Sequence, residues 1–333
     1  MLYVPILKCK QGEKDALYSL QDDVKKNILP LLELTPDVIG KGNFAGVHNF
    51  WSNRKFIFDI SPEYEQELTD REFFTLYDKC NKEHVIPVIK LSDSEEKLTR
   101  LINRSFNGAA LRLNLEEILD DDFESLFNDF ISNIDQTLID LIIDVKFVEA
   151  NKINETSFLV KGAINSLGDL KSFRSIIFSS NSFPKSLQNI EKYKLSLLPR
   201  IESKLYEKVK PHFEKTGVTP VYSDYAINHW SFFDYIPGMQ PPFNIRYSVE
   251  NGYIVYKGDS TKKGGFKIEK VREACKLLVS SEYFSGENFS WGDNQILEKA
   301  NGETIKPGNS TTWRAIGTNH HIKFIVNLIS NQL

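Results

Sequence analysis

The sequence predicts a (β/α)8 barrel that carries an α+β insertion between its eighth strand and its last helix. Three observations point there. First, short branched apolar runs recur, each closing on one ionisable residue: VPILK to Lys8, LPLLE to Glu33, FIFD to Asp59, IPVIK to Lys90, AALR to Arg112 and LIID to Asp144, with TPVYSD to Asp224 as a looser late copy. Such runs suit a parallel sheet buried on both faces. Second, helical patterns separate them at steps of roughly 22 to 45 residues, the scale of one βα unit. Third, four strands share a phrase with Pro at its head (Pro5, Pro30, Pro87 and Pro220), where no ladder donor is lost. An open doubly wound sheet is the alternative arrangement of the same units.

Strands are expected at 3–8, 28–34, 56–60, 85–91, 109–113, 138–145, 173–179 and 219–225. Gly12 and Glu13 open the first helix, with Ala16, Leu17, Leu20 and Val24 at helical spacing. The glycines of GKGNFAG miss the dinucleotide fingerprint by one residue, and this stretch reads as a loop-rich crossover. Ser61-Pro62-Glu63 is expected to start the helix carrying Leu68, Phe73, Phe74 and Tyr77. Ser92 or Ser94 caps the next, and residues 115–133 form an acidic amphipathic helical region whose Asp120-Asp121-Asp122 run is solvated surface. A helix around Phe158 and Leu159 follows strand six, and 184–213 is read as helical with a break at Pro199.

Beyond the eighth strand the composition shifts. Residues 229–242 are rich in aromatics and proline. IRYSVENGYIVYKGD reads as a hairpin with Asn251-Gly252 as a type I′ turn. Helices follow at 268–280 and near 293–300, and Thr318-Asn319 is expected to cap a last helix holding Ile322, Phe324, Ile325, Leu328 and Ile329. The organisation is thus a barrel core at 1–225, an insertion or lid at 226–316, and the last barrel helix at 317–333. Insertions between a strand and its following helix emerge on the site face.

Composition sets the class. A chain of 333 residues with 41% hydrophobic and 26% charged residues can bury a large core. The net charge of −4 argues against wholesale wrapping of nucleic acid but leaves room for a local basic patch. Cys9, Cys80 and Cys275 are far apart and odd in number, so neither a disulfide framework nor a zinc pattern is expected. No signal peptide or membrane span is read, and the expected location is the cytoplasm.

Chemistry is expected at the carboxyl edge of the sheet. Lys8, Lys90 and Arg112 oppose Glu33, Asp59 and Asp144 there, with Asp224 adding one more negative charge. The carboxylates would serve as acid, base or ligands to a divalent metal such as Mg, and the cations would grip an anion. The other reading is a self-paired ion lattice plugging the barrel top. A second group, at the expected start of the last helix, is Arg314, Thr318, Asn319, His320 and His321, gathered near Ser179, Ser180 and Asn181 as a phosphate site. The two adjacent histidines point about 100° apart on a helix, so they do not both face one metal. A third is the basic and aromatic hairpin with Arg246, Tyr247, Tyr253, Tyr256, Lys257, Lys262, Lys263 and Lys267, which either tracks a nucleic-acid strand or packs its tyrosines inward as a lid. No Walker loop, HExxH, CxxC pair or G-x-S-x-G elbow occurs. His48, His84, His212 and His229 read as structural.

The opening YVPILKCKQGEKDAL with ILPLLEL, the late FSWGDNQI and the closing TTWRAIGTNHHIKF together resemble the beta protein family of phages and bacteria. The resemblance spans nearly the whole chain. It implies a role in phage–host conflict, as a defence component or a phage-encoded accessory protein, and it assigns no catalytic residues. The residues matching its motifs are Lys8, Lys10, Gly12 and Glu13 at the start, with Trp313, Arg314, Asn319, His320 and His321 at the end. The barrel argument puts both groups on one face.

Two functions are therefore expected in competition. One is a barrel that binds a phosphate-bearing ligand, a nucleotide or nucleic-acid end, through Lys8, Lys10, Lys90, Arg112, Ser179, Asp224, Arg314, Asn319, His320 and His321, with hydrolysis by Glu33, Asp59 and Asp144. The other is a non-catalytic recognition module that binds a phage or host protein. Neither involves a membrane.

Overall fold

Side chains alternate across a strand with period two, so each barrel strand sends one set of residues to the lumen and the other to the helices. The computed structural model describes residues 1–40, 46–65, 68–232 and 238–331. The strands are β1 (Tyr3–Leu7), β2 (Leu31–Leu34), β3 (Phe56–Ile60), β4 (Val85–Ile89), β5 (Ala109–Asn114), β6 (Ile139–Phe147), β7 (Ser175–Asn181), β8 (Leu195–Pro199) and β9 (Val221–Asp224). Among the described residues, β1 to β7 and β9 form a closed parallel barrel in that order, sealed by Phe178 opposite Tyr222 and by Val4 opposite Ser223. This is the expected eight-stranded barrel. Val4, Ile6, Leu31, Ile57, Ile86, Val88, Ala110, Ile142 and Ile177 fill the lumen. Tyr3, Leu7, Leu32, Phe58, Ile89, Leu111, Ile143, Phe178 and Tyr222 pack under the surrounding helices. Two residues past the lumen positions Ile6, Leu31, Ile57, Ala110, Ile142 and Ile177 stand Lys8, Glu33, Asp59, Arg112, Asp144 and Ser179. The same alternation that buries the core therefore aims these groups into the mouth.

A second, three-stranded sheet joins β10 (Pro242–Val249), β11 (Gly252–Ser260) and β8, in the order β10-β11-β8 and antiparallel throughout. Here the expectation of a helix over 184–198 is corrected. Residues 195–199 are a strand, and the helix runs only over Ile201–Lys215. The leucines of KLSLLP take the extended form because β11 offers them a hydrogen-bonded edge, and tertiary pairing outweighs helix propensity. The insertion thus draws its third strand from the connection between β7 and β9.

The hairpin is present, but its loop is Glu250-Asn251, since Val249 pairs with Gly252 inside the ladder. Gly252 is needed for close approach instead of a turn: a Cβ there would meet the Leu198 carbonyl oxygen at 2.4 Å. The last helix also differs from expectation. It spans Ser310–Ser330 and is capped by Asn309, whose Oδ1 accepts from the Thr312 N–H at 3.0 Å. Thr318 and Asn319 are mid-helical and buried, so they form no cap. Gly317, which looks like a break, lies where a Cβ would meet the Arg246 carbonyl oxygen at 2.7 Å. The helix expected from Ser61 is two pieces, Pro62–Glu65 and Asp70–Tyr77, the second capped by Thr69. Residues 41–45, most of GKGNFAG, lie outside the described residues.

The C-terminal helix belongs to both bodies. Trp313 and Ile316 sit in the insertion core with Phe243, Tyr247 and Ile254, while Ile322, Ile325 and Val326 sit in the barrel's outer core. Cys9, Cys80 and Cys275 are buried free thiols. Among the described residues no helix is long and apolar enough to cross a membrane.

Candidate site at the barrel mouth

Arg112 is the hub of the mouth. Its Nη1 donates to Glu33 Oε1 at 2.7 Å and to Asp59 Oδ2 at 2.6 Å. Its Nη2 donates to Asp144 Oδ2 at 2.7 Å and to the Tyr225 hydroxyl at 2.7 Å, and the Tyr225 hydroxyl donates to Asp144 at 2.5 Å. Lys8 pairs with the other oxygen of Glu33. All five charged groups are buried. Burial alone would raise the Glu33 pKa, but Lys8 and Arg112 outweigh it and hold the carboxyl below its usual range. Burial likewise opposes charge on Arg112, yet Tyr225 and the carboxylates around it raise its pKa well above normal. Five of the six expected strand-end charges, Lys8, Glu33, Asp59, Arg112 and Asp144, are thus brought together in the form of a paired lattice. A guanidinium occupies the centre of the three carboxylates, where a bridging divalent cation would sit, and no group of three His, Cys, Asp or Glu among the described residues is placed to hold a metal.

Lys90 lies to one side, its N–H donating to Asp93 Oδ2 at 2.9 Å. A cavity of about 20 Å³, room for a single water, opens there between Asp59, Lys90, Asp93 and Lys97. Ser179 is fully buried beside Asp144, and among the described residues its hydroxyl has no hydrogen-bond partner. Lys10 reaches the rim with its Nζ 4.4 Å from the centre of the Phe232 ring.

Asp224 does not join the ring. Its position on β9 faces outward, to Tyr3 (2.5 Å), Tyr222 (3.1 Å) and His321 Nε2 (3.1 Å). The Nδ1 of His321 is 2.6 Å from Ser248 Oγ. The Ser248–His321–Asp224 chain has the order of a nucleophilic relay, but each residue is wholly sealed from solvent, and what it does is tie β10 to β9 through the C-terminal helix. His320 makes a parallel tie, to Asp293 at 2.9 Å and to the Ser248 carbonyl at 2.8 Å. Burial pushes the Asp224 and Asp293 pKa values up, but both end below the usual range, Asp224 through His321, Arg200 and Tyr3, and Asp293 through His320, Ser290 and Tyr247. Asn319 accepts from the Gly292 N–H and donates to the Ala16 carbonyl. His320, His321 and Asn319 are therefore clamps inside the body of the protein, away from the mouth.

Arg314 reaches the mouth region from the same helix. It donates to Asn228 Oδ1, as does Arg246 of β10 at 3.3 Å. Arg246 also donates to the Ile227 carbonyl (2.7 Å) and Asn244 Oδ1 (3.0 Å). Asn228 in turn donates to Glu13 Oε1 at 2.8 Å, and its carbonyl accepts from Asn181 at 2.7 Å. Among the described residues neither arginine has a carboxylate within ion-pair distance. Both arginines are half-buried. Burial, with Arg314 alongside, pushes the Arg246 pKa well below normal. Burial raises Glu13, the nearest acid, despite Arg314. Gly12 lets the two termini meet, since a Cβ there would lie 2.6 Å from the Thr311 carbonyl oxygen. The two end motifs do converge, through Gly12, Glu13 and Arg314.

The backbone is strained in the same sector. Cys9, Lys146 and Ala226 have φ of 54°, 59° and 52°, left-handed values for residues with side chains, at the carboxyl ends of β1, β6 and β9. Asp144 accepts from the Lys146 N–H and Asp224 from the Ala226 N–H, each at 2.9 Å. The Lys146 kink is a bulge that breaks the register between Asp144 and Phe147.

Tyr225, Asn228 and Asp293 were not anticipated. Tyr225 was readable in principle, as the inward neighbour of Asp224 by strand parity. Asn228 follows a kink that no periodicity announces.

The chain matches the family described as Beta protein over residues 3–327. It is 23% identical to Protein beta of Enterobacteria phage P4 over 96% of this chain and 91% of that protein. With the match running from the first barrel strand into the C-terminal helix, the chain belongs to the Beta protein family.

Proposed function

We propose that the mouth sector between β7, β9 and β1 binds a phosphate-bearing ligand, a nucleotide or a nucleic-acid end. The carrying observation is the Arg246–Arg314 pair, two half-buried arginines whose guanidiniums meet on a neutral amide oxygen. Arginine is suited to phosphate, and a cation pair served by neutral acceptors gains most from an anion. The unpartnered Ser179 hydroxyl, Lys10 at the rim and the three strained strand ends support the same sector. Glu33, Asp59 and Asp144 are the groups that would serve hydrolysis, once released from Arg112. The membership of a phage protein in the family supports a cytoplasmic role in phage–host conflict, including antiviral defence.

A second reading, a non-catalytic module recognising a phage or host protein, draws on the buried, mutually paired lattice. It keeps the carboxylates structural.

Thermal shift with nucleotides and short oligonucleotides tests the proposal. A ligand at 100 times its Kd stabilises by about 2.7 kcal/mol, roughly a 4 °C rise for a chain of this size. The rise is expected in the wild type and absent in Arg246→Gln/Arg314→Gln. No rise with any of these compounds refutes phosphate binding and turns attention to protein partners. If the bound ligand is hydrolysed, Asp59→Asn should stop turnover while leaving the shift; turnover surviving that change removes Asp59 from the chemistry.

A further inference from the structure

We infer that the same mouth carries a nucleobase platform, formed by Phe147, His229 and Trp230, so that its ligand is a phosphorylated nucleoside and not a bare phosphate. This rests on the phosphate reading above and deepens it. The bulge at Lys146 turns Phe147 outward, and this phenylalanine is 36% exposed at the rim of a barrel whose other strand residues are mostly buried. Its ring centre lies 5.1 Å from that of His229, which lies 5.8 Å from that of Trp230. Lys146 sets its Nζ 5.3 Å from the Trp230 ring centre.

The electronic state of His229 suits stacking. Its Nδ1 accepts from the Ser231 N–H at 3.1 Å, which leaves the neutral ring's proton on Nε2. Burial, with Lys185 and Lys8 nearby, lowers its pKa to about 4, so the ring is uncharged at neutral pH. A neutral imidazole between two aromatic rings, edged by lysines, is the combination on which bases stack while cations track the backbone.

The spacing fits one nucleotide. Asn228 receives both arginines, and His229 and Trp230 are the next two residues, so platform and grip lie within about 7 Å of chain. Left-handed backbone is disfavoured at a lysine, and the bulge it makes leaves Phe147 partly open to solvent at the rim. A platform for a ligand accounts for both features.

Calorimetric titration with dAMP, dTMP, a 5′-phosphorylated four-nucleotide strand and 2-deoxyribose 5-phosphate tests this, with melting curves confirming that each variant folds. The wild type should bind the base-bearing probes roughly five- to a hundredfold more tightly than the sugar phosphate. Phe147→Ala, at an exposed position, should close that gap and leave the sugar phosphate affinity as it was. Trp230→Leu should act in the same direction, and Arg246→Gln/Arg314→Gln should weaken every probe. Tighter binding of the strand than of the mononucleotides would identify a strand end as the source, and equal binding a free nucleotide. Equal affinity for sugar phosphate and nucleotides in the wild type, or equal losses for both in Phe147→Ala, would overturn the platform and leave the phosphate site standing. Binding of no probe would overturn both.

Discussion

Replacing Arg112 with methionine removes the hub and leaves Glu33, Asp59 and Asp144 buried with Lys8 as the remaining cation of the cluster. Breaking a buried ion pair by removing one partner costs about 3–5 kcal/mol, because the surviving charge is neither solvated nor paired. A chain of 333 residues has an unfolding entropy of roughly 0.7 kcal/mol/K. The loss therefore corresponds to a fall in Tm of about 4–7 °C. The pH dependence sharpens the test. In the wild type Glu33 has a depressed pKa, so its contribution is complete above the unfolded carboxylate range and is lost as pH falls through the folded value. In Arg112→Met, Lys8 alone opposes the burial of Glu33, so the Glu33 pKa should rise from its depressed wild-type value. The deficit should be largest at pH 7–8 and shrink toward pH 5. Arg112→Lys should fall between, since an ammonium cannot fork across three carboxylates. Calorimetric melting of the three proteins at several pH values is the assay. A Tm for Arg112→Met within about 1 °C of wild type, or a deficit unchanged between pH 8 and pH 5, would refute the account of a lattice held by one guanidinium.

Asp224→Asn should cost about 1–3 kcal/mol by weakening the Tyr3 and His321 ties, and it should flatten the loss of stability below about pH 4 that a depressed aspartate imposes; an unchanged acid limb would count against the clamp. Gly252→Ala forces a Cβ onto the Leu198 carbonyl, and a cost of about 1–3 kcal/mol is expected, with faster hydrogen exchange in β8 and β11 as its signature. Unchanged exchange there would mean the sheet absorbs the methyl. Ser179→Ala removes an unpartnered buried hydroxyl, so stability should hold or rise by up to about 1 kcal/mol; a clear drop in Tm would show that the hydroxyl has a structural partner.

The barrel was legible because its strands are buried on both faces, and such strands leave a dense apolar run in the sequence. The terminal charge of each run was legible for the same reason: Lys8, Glu33, Asp59, Arg112 and Asp144 share the parity of the lumen residues before them. Asp224 ends the same kind of run but has the opposite parity, and its looser phrase TPVYSD concealed the shift. The C-terminal helix starts eight residues before its expected cap at Thr318-Asn319, and it carries Gly317 in its interior. The reason for that glycine is a strand passing close by, which no local pattern records. β8 was missed for a related cause, since its extended form depends on an edge supplied more than fifty residues later. Where local chemistry decided the structure, sequence reading located it; where a distant backbone decided it, the signal lay in another part of the chain.

The shared C-terminal helix imposes an order on synthesis. Every barrel strand has been made by residue 224, yet the helix whose His321 covers Tyr3 and Asp224 begins only at Ser310. At 5–20 residues per second the ribosome needs roughly 4–17 s to bridge that distance. Throughout that interval the outer face of β1 lacks this cover, β9 has only Arg200 and the helix Ile201–Lys215 against its Tyr222, and the insertion lacks Trp313 and Ile316. Neither body can be finished first; both are completed by the same late stretch of chain, and the nascent protein passes through a window in which its aromatic seam is open to chaperones and proteases.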